Sequence, residues 1–290
     1  MIGCGDIALR AARLLSPNFR LYGLTRNPEQ HPALRAAGIT PIAGDLDQPR
    51  TLARLHLSPY AVLHCAPPPA AGDDDTRTRN LIARLCEAWS LPRTIVYIST
   101  SGVYGDCAGA RIDETRPLSP MTARAQRRFA AERRLRDWAR GPSSSPAPRL
   151  SILRAPGIYS EGRLPVERLR QRVPALVERD DVHTNHIHAG DLARACVAAM
   201  TRGRPLRAYN VTDDADWKMG DYFDRVADAL SLPRAPRVTA LEAETLLSPL
   251  QRSFMRESRR LVNARAKREL RWRPEFATPA ALLARMTAAT

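Results

Sequence analysis

The first eight residues contain the pattern with the clearest chemical meaning in this chain. Gly3, Gly5 and Ala8 have the Gly-x-Gly-x-x-Ala spacing of a turn that binds the pyrophosphate of a dinucleotide. Gly3 would permit a tight turn out of a strand, Gly5 would let the backbone approach the pyrophosphate, and Ala8 would let the next helix pack close to the sheet. The free N–H groups at the start of that helix favour anions. The pattern predicts a phosphate-binding turn, with an ordinary turn of small residues as the alternative.

The end of the second predicted strand bears on the choice of cofactor. An NAD-selective site has Asp or Glu there to bind the ribose 2′-hydroxyl, whereas an Arg accommodates the 2′-phosphate of NADP. Thr25 and Arg26 occupy these positions. The sequence therefore predicts NADP rather than NAD. The alternative is that Arg26 is a solvent-facing arginine, of a kind that is common in this chain.

Small or polar residues also follow the next predicted strands. Asp45 and Leu46 come after the third strand, where the Asp45 carboxylate could accept a hydrogen bond from the adenine amino group. Ala66 and Pro67 come after the fourth strand, and the small Ala66 would let the backbone approach a cofactor. These residues extend the predicted cofactor site along one edge of the sheet.

Hydroxyl side chains follow the fifth predicted strand. The segment Ser99-Thr100-Ser101-Gly102-Val103-Tyr104-Gly105 begins where the apolar run Ile95 to Ile98 ends. Doubly wound sheets bind their ligands at the carboxyl ends of parallel strands. These hydroxyls are therefore candidates for contact with a ligand.

Alternating strands and helices must position these residues. A helical pattern begins at Ile7 and stops at Ser16-Pro17-Asn18, and a short apolar strand candidate follows from Phe19 to Leu24. Units of this kind predict an α/β fold with a doubly wound parallel sheet. Only Met1 and Ile2 precede Gly3, so the first strand is truncated. We expect either a start codon upstream or a fold that tolerates the stub.

The composition limits the classes of protein. The formal net charge is +15, and Lys218 and Lys267 are the two lysines among 45 basic residues. The arginines are spread along the chain and interleaved with acids, which argues against nucleic-acid binding, while the positive field favours an anionic small-molecule substrate. The sequence has no run of about 18 apolar residues and no signal-peptide pattern. We therefore expect a cytoplasmic protein without a membrane partner.

Neither the cysteines nor the histidines indicate a metal site. The five cysteines are scattered without a Cys-x-x-Cys pair, which predicts free thiols rather than disulfides. His183, His186 and His188 lie close together, but no matched carboxylate or cysteine accompanies them. We expect no bound metal.

The order of the motifs resembles the extended short-chain dehydrogenase/reductases of the NAD-dependent epimerase/dehydratase group. The shared features, in chain order, are the Gly-x-Gly-x-x-Ala turn, Gly44-Asp45-Leu46, the Ala66 turn, Ser-Thr-Ser-Gly-Val-Tyr-Gly, and Asn185-His186-Ile187-His188 with Asp191-Leu192-Ala193. The resemblance covers nearly the whole chain. It implies a Rossmann-like NAD(P)-binding domain over residues 1–157. A small C-terminal α/β substrate lobe mainly covers residues 158–290, and segment 183–212 returns to the first domain. The Pro- and Ser-rich stretch 141–148 is interpreted as a surface loop.

The resemblance also implies roles for individual residues. Thr100 matches the family's hydroxyl that hydrogen-bonds the reacting oxygen, with its neighbour Ser101 as a substitute. Ala155-Pro156-Gly157 matches the segment that lines the nicotinamide. The expected cofactor-binding residues are Gly3, Gly5, Asp6, Ile7, Thr25, Arg26, Asp45, Leu46, Ala66, Pro67, Arg128, Pro156 and Gly157.

One departure from the family pattern bears on catalysis. The family's Tyr-x-x-x-Lys pair aligns with Arg124 and Arg128, and no Tyr or Lys occurs from position 121 to 140. Arg128 could keep the lysine's cationic role with the ribose hydroxyls, but Arg124 cannot be a general acid. Tyr104 and Tyr159 are conceivable substitutes for the missing tyrosine. The expected catalytic residues are thus Thr100, Ser101 and Tyr104.

Two functions remain at this point. The first is an NAD(P)-dependent oxidoreductase or epimerase that acts on a carbonyl or sugar-type substrate, with the hydride chemistry supplied by the cofactor. The second is an inactive NADP(H)-binding sensor or scaffold that kept the fold and lost the proton donor. The oligomeric state is left open, a homodimer included.

Overall fold

The computed structural model describes residues 1–55, 58–141 and 146–288. Of the predicted surface loop at 141–148, residues 142–145 lie outside the described residues. The described strands are β1 (Leu21–Thr25), β2 (Ile39–Ala43), β3 (Ala61–His64), β4 (Thr94–Thr100), β5 (Arg111–Ile112), β6 (Arg149–Ala155), β7 (Gly157–Tyr159), β8 (Ala175–Leu176), β9 (His183–Thr184), β10 (His186–His188), β11 (Arg207–Asn210), β12 (Trp217–Lys218), β13 (Arg237–Val238) and β14 (Arg260–Leu261). The described helices are α1 (Asp6–Leu15), α2 (His31–Ala36), α3 (Thr76–Cys86), α4 (Ala123–Arg140), α5 (Val166–Arg170), α6 (Ala189–Arg202), α7 (Met219–Ala229), α8 (Ala240–Leu246), α9 (Pro249–Met255), α10 (Ala264–Glu269) and α11 (Pro279–Thr287).

The main sheet of the structure is parallel. Its strands pair in parallel as β1 with β2, β3 with β4, β4 with β6, and β6 with β11. With Ile2 between β1 and β3, the spatial order is β2-β1-Ile2-β3-β4-β6-β11. The chain order reverses at Ile2, as it does in a doubly wound sheet. The predicted Rossmann-like α/β fold is thus confirmed.

Ile2 takes the place of a complete first strand. It forms parallel bridges with Leu24 of β1 and His64 of β3. Its N–H donates to the Leu63 carbonyl at 2.8 Å, and its own carbonyl accepts from the N–H of Cys65 at 2.8 Å. A largely apolar cavity of about 350 Å³ lies beside Met1, between the flanking strands. One bridging residue therefore connects the two halves of the sheet.

Alternate residues of β4 face the two helical layers. Val96 and Ile98 belong to the core cluster that includes residues of α1 and α6. Ile95 and Tyr97 belong to the cluster that includes residues of α3 and α4. Because side chains alternate across a strand, this central strand is buried on both faces. The helices thereby leave the carboxyl edge of the sheet as the place where loops can form a site.

The C-terminal lobe is built from short strand pairs and helices. β8 pairs with β13 in parallel, and β9 pairs with β12 antiparallel. Leu169 of α5, Phe223 of α7 and Leu283 of α11 share one apolar cluster. Segment 183–212 brings α6 against α1 and adds β11 to the edge of the main sheet. In the part of the chain that the structure describes, no helix combines the length and apolar character that a membrane crossing requires.

Candidate active site

The first cavity lies at the carboxyl ends of β1, β2 and β3 and has a volume of about 430 Å³. Its lining includes eight of the residues predicted to bind the cofactor, namely Gly3, Gly5, Thr25, Arg26, Asp45, Leu46, Ala66 and Pro67. Seven further lining residues were not among those predicted to bind the cofactor, namely Cys4, Leu24, Asn27, Gln30, Gly44, Cys65 and Arg77. The fold thus brings together residues that follow Ile2, β1, β2 and β3, and we call this cavity the crevice.

Gly3 and Gly5 have different roles in the turn. Gly3 has a φ of +82°, and a Cβ there would lie 2.7 Å from backbone atoms of Ala66. A side chain at this position would meet both a left-handed backbone and a clash. Gly5 is the extended N-cap of α1, and a Cβ there would meet nothing within 4 Å. The open space beside Gly5 and the free N–H groups of α1 fit a phosphate group.

Arg26 is the exposed member of a group of charges at the rim of the crevice. Its side chain is 67% exposed, and its Nη1 lies 3.9 Å from Asp47 Oδ2. Arg77 binds the same carboxylate through hydrogen bonds of 2.8 and 2.6 Å, which lower the pKa of Asp47. Arg50 joins Arg26 in lining an adjacent surface cavity. Because Arg77 already neutralises Asp47, the charge of Arg26 is available to an anion.

The turn that carries Arg26 is held by hydrogen bonds from its neighbours. Thr25 Oγ1 donates to Gln30 Oε1 at 2.8 Å and accepts from the N–H of Asn27 at 3.2 Å. In the loop after β2, Asp45 Oδ1 accepts from the N–H of Asp47 at 3.0 Å. The predicted Thr25 and Asp45 side chains thus shape their loops as well as line the crevice.

The second cavity lies between the carboxyl ends of β4 and β6 and the C-terminal lobe, and we call it the lobe pocket. It has a volume of about 200 Å³ and is lined by Thr100, Ser101, Gly102, Arg124, Ala125, Pro156, Gly157, His183, Thr184, Asn185, Met219, Phe254, Glu257 and Arg259. Four of these, Thr100, Ser101, Pro156 and Gly157, were predicted from the sequence. Thr100 Oγ1 accepts from the N–H of Gly102 at 3.2 Å, which leaves its O–H free to donate.

Helix α4 carries Arg124 and Arg128, the two arginines that align with the Tyr-x-x-x-Lys pair. Arg124 lines the lobe pocket. Arg128 Nη1 donates to the Ile98 carbonyl at 2.7 Å and to the Tyr97 hydroxyl at 3.2 Å. These bonds hold Arg128 near the end of β4, outside the lining of both cavities. Its contact with a nicotinamide ribose stays a prediction.

Tyr104 lies in a buried network rather than in either cavity. Its hydroxyl donates to Asn210 Oδ1 at 2.7 Å and accepts from Arg154 Nη1 at 2.9 Å. Burial raises the pKa of Tyr104 to about 12. Tyr159 is also buried, and burial together with the Asp213 carboxylate raises its pKa. The position of Tyr104 argues against its predicted catalytic role, because its hydroxyl is hydrogen-bonded to two buried side chains and lines neither cavity.

Asp6 and Ile7 lie at the start of α1, but neither residue lines the crevice. Asp6 Oδ1 accepts from Arg10 Nε at 2.8 Å. Ile7 is buried in the cluster that α1 shares with α6. What these two positions offer a phosphate is therefore their backbone N–H groups.

Two histidines of segment 183–188, His186 and His188, pack against different aromatic rings. The ring centroid of His186 lies 4.0 Å from that of Tyr222, and the ring centroid of His188 lies 4.1 Å from that of Phe276. Burial lowers the pKa of His186 to about 3. Across the described ranges, no three side chains of the metal-binding types His, Cys, Asp and Glu are grouped around a common point.

Comparisons with known proteins agree with this architecture. The model of the NAD dependent epimerase/dehydratase family matches residues 9–212. A sequence search of curated proteins finds no match. Among solved structures, a conserved protein of unknown function from Silicibacter pomeroyi is similar to this chain, at 30% identity and a TM-score of 0.79. The alignment covers 99% of this chain and 97% of that one.

Two more distant structures share the fold. A nucleoside-diphosphate-sugar epimerase from Pseudomonas aeruginosa is 19% identical with a TM-score of 0.77, over 97% of this chain and 93% of that chain. A dTDP-glucose 4,6-dehydratase from Streptomyces venezuelae, solved as a double mutant with NAD bound, is 19% identical with a TM-score of 0.77. That alignment covers 99% of this chain and 95% of the other.

Proposed function

Because the chain belongs to the NAD-dependent epimerase/dehydratase family, we propose that it is an NAD(P)-dependent oxidoreductase or epimerase that acts on a carbonyl or sugar-type substrate. The observation that carries the proposal is the pair of cavities at one edge of the sheet. The glycine turn and Arg26 line the crevice, and the hydroxyls of Thr100 and Ser101 line the lobe pocket. The names of two structural neighbours, an epimerase and a dehydratase of nucleotide-linked sugars, support a sugar-type substrate.

The residues present fit a dinucleotide. The N–H groups at the start of α1 and the open space beside Gly5 would hold the pyrophosphate. Pro156 and Gly157, in the lobe pocket, would line the nicotinamide. When bound, the nicotinamide supplies the hydride chemistry. The protein's own part is to bind the substrate and to orient its reacting oxygen.

We assign the orientation of that oxygen to the hydroxyls at the end of β4. Thr100 has a free O–H to donate, and Ser101 is buried beside it. A hydrogen bond to the oxygen of a carbonyl stabilises the negative charge that develops there during reduction. Arg124, which lines the lobe pocket, is the residue that the sequence alignment sets against the family's proton-donating tyrosine. The proton therefore comes from a group other than that tyrosine, or from water.

The preferred cofactor in this proposal is NADP. Arg26 is exposed at the rim of the crevice, and its nearest carboxylate, Asp47, is held by Arg77. An arginine in this place offers a charge-assisted hydrogen bond to a 2′-phosphate. The structural neighbour from Streptomyces was solved with NAD, so affinities for both cofactors need to be measured.

The experiment has two stages, binding and then turnover. Titration with NADPH and NADH, followed by fluorescence, should give NADPH the higher affinity by about tenfold, the order expected for one charged contact. A screen of NADPH oxidation over carbonyl compounds and of NADP⁺ reduction over sugars should then find turnover. A Thr100→Val, Ser101→Ala double variant should lower that turnover about 10²-fold and leave cofactor affinity unchanged.

A second candidate function is a non-enzymatic NADP(H)-binding sensor. The observation that favours it is Arg124, since an arginine cannot act as the general acid that the aligned tyrosine would provide. Tight NADPH binding with no turnover across the screen would support the sensor and contradict the enzyme. Failure to bind either cofactor would contradict both functions.

A further inference from the structure

The guanidinium of Arg124 projects into the lobe pocket with few protein partners. Its Cζ lies 3.9 Å from the centroid of the Phe254 ring, and its Nη2 lies 3.5 Å from Ser253 Oγ. Among the described residues, no carboxylate lies within 4.0 Å of it. An arginine carries five N–H donors, so most of the donors of Arg124 remain available to a ligand. The contact with Phe254 holds the guanidinium over an aromatic ring without using those donors.

A second arginine of the lobe pocket is already neutralised. Arg259 Nη1 donates to Glu257 Oε2 at 2.8 Å and to the Gly105 carbonyl at 2.8 Å. The side chains of Arg259 and Glu257 are only 11% and 8% exposed, so they form part of the wall of the lobe pocket. Glu257 Oε1 is buried and has no hydrogen-bond partner. The pair therefore contributes no net charge, and one unused acceptor remains on the glutamate.

The charges and the volume of the lobe pocket favour a small monoanionic ligand. Arg124 and Arg259 carry positive charge and Glu257 carries negative charge, so these three side chains sum to a single positive charge. A monoanion such as a carboxylate matches that sum, whereas a phosphate dianion exceeds it. The volume of about 200 Å³ is below the roughly 300–1,000 Å³ of pockets for drug-sized ligands. The ligand should therefore be small.

We propose that Arg124 binds the carboxylate of a small hydroxylated carboxylic acid, and that the hydroxyl-rich end of β4 and Glu257 bind its hydroxyl groups. The residue that replaces the family's tyrosine would thus select the substrate instead of moving a proton. Phe254 and Met219 form an apolar wall of the same pocket. This inference rests on the proposed function, because it takes the lobe pocket as the substrate side of the site.

The test is calorimetric binding to the full chain saturated with NADPH, a state in which an alcohol cannot be oxidised. Three probes share one ring but differ in charge: D-glucuronate, D-glucose and D-glucose 6-phosphate. We expect D-glucuronate to bind at least tenfold more tightly than either of the others. Arg124→Gln should remove that preference, and Arg124→Lys should keep part of it because a cation remains.

Two control variants separate this effect from a general loss of charge. Arg225 also lies over an aromatic ring, 4.6 Å from the centroid of Trp217, and Arg225→Gln should change nothing. Glu257→Gln should raise the pocket charge and shift preference towards D-glucose 6-phosphate, whereas Glu244→Gln, at a surface ion pair, should not. Thermal melts of each variant test whether its fold is intact.

Equal affinity of the wild type for D-glucuronate and D-glucose would overturn the inference. So would a D-glucuronate affinity that Arg124→Gln leaves unchanged, and a wild type that prefers D-glucose 6-phosphate would overturn the carboxylate assignment. In each of these results NADPH still binds, so the cofactor site of the proposed function is unaffected, and the turnover screen tests the enzyme separately. Failure of the wild type to bind NADPH would instead contradict the proposed function.

Discussion

The guanidinium of Arg154 and the carboxylate of Glu132 form a buried ion pair beneath the candidate active site. Arg154 Nη2 donates to Glu132 Oε2 at 2.7 Å, and Arg154 Nε donates to Glu132 Oε1 at 3.1 Å. Ser99 Oγ also donates to Glu132, at 2.6 Å, while Tyr104 accepts from Arg154. The pair thus ties α4 to β6 and to the end of β4, beside the candidate catalytic hydroxyls of Thr100 and Ser101.

Removal of one member of this pair should strongly destabilise the protein. Glu132→Leu leaves the buried guanidinium of Arg154 without a counter-charge, which costs about 3–5 kcal/mol of unfolding free energy. The double variant with Arg154→Met should recover much of that loss, because no charge then remains buried. Urea unfolding measures both. Asp228→Asn breaks an exposed pair with Arg234 and should leave stability essentially unchanged, because water screens that pair.

A Glu132→Leu variant as stable as the wild type would contradict this account. It would mean that Arg154 finds another partner or reaches water, and that the pair does not hold the site in place.

Substitution of the two turn glycines should separate folding from cofactor binding. Gly3→Ala places a side chain on a left-handed backbone, 2.7 Å from atoms of Ala66, and should cost roughly 1–3 kcal/mol of stability. Gly5→Ala meets no protein atom within 4 Å, so its melting temperature should stay near that of the wild type. Its methyl group would occupy the space assigned to the pyrophosphate, and NADPH affinity should fall at least about tenfold.

Thermal melts and NADPH titrations of the two variants check this prediction. A Gly5→Ala variant that binds NADPH as the wild type does would contradict the position assigned to the pyrophosphate.

The choice of cofactor should depend on Arg26. Arg26→Ala should weaken NADPH binding about tenfold and leave NADH binding unchanged, because the lost contact is to the 2′-phosphate alone. Arg35→Ala, at an exposed position on α2, is the matched control and should alter neither affinity. If the wild type binds both cofactors equally, the assignment of Arg26 to a 2′-phosphate is wrong.

Stability should fall as the solution is acidified below pH 6.5. Burial lowers the pKa of His186 to about 3, and burial together with the charge of Arg128 lowers that of His64 to about 3. Both rings stay neutral in the folded protein, whereas the unfolded chain takes up protons below about pH 6.5. The unfolded state therefore binds more protons between pH 6.5 and about 3, and each histidine lowers stability by about 1.4 kcal/mol per pH unit well inside that window.

Comparison of the wild type with His186→Phe isolates one of these contributions. The phenyl ring can keep the contact with Tyr222 but takes up no proton. Between pH 7.5 and 5 the variant should lose about 2 kcal/mol less of its unfolding free energy than the wild type. Urea unfolding at both pH values measures the difference, and an identical loss in the two proteins would contradict it.

Local patterns in the sequence determined the main elements of the fold and much of the crevice. The Gly-x-Gly-x-x-Ala spacing located the start of α1, because only small residues allow that turn and the close packing of the helix behind it. Apolar runs located the parallel strands, and the residues just after them, such as Arg26, Asp45 and Ala66, line the crevice because parallel strands end at one edge of the sheet. These features depend on residues a few positions apart, so the sequence displays them directly.

The tertiary structure decided the features that depend on distant residues. Arg77 neutralises Asp47, and the Phe254–Arg259 segment brings Glu257 to the pocket of Thr100, although no spacing in the sequence relates these positions. Tyr104 lies only three residues after Ser101 in the sequence, yet its hydroxyl turns into the core to meet Arg154 and Asn210. A residue type shows which bonds a side chain can form, but packing between elements far apart in the chain decides which partners come within reach.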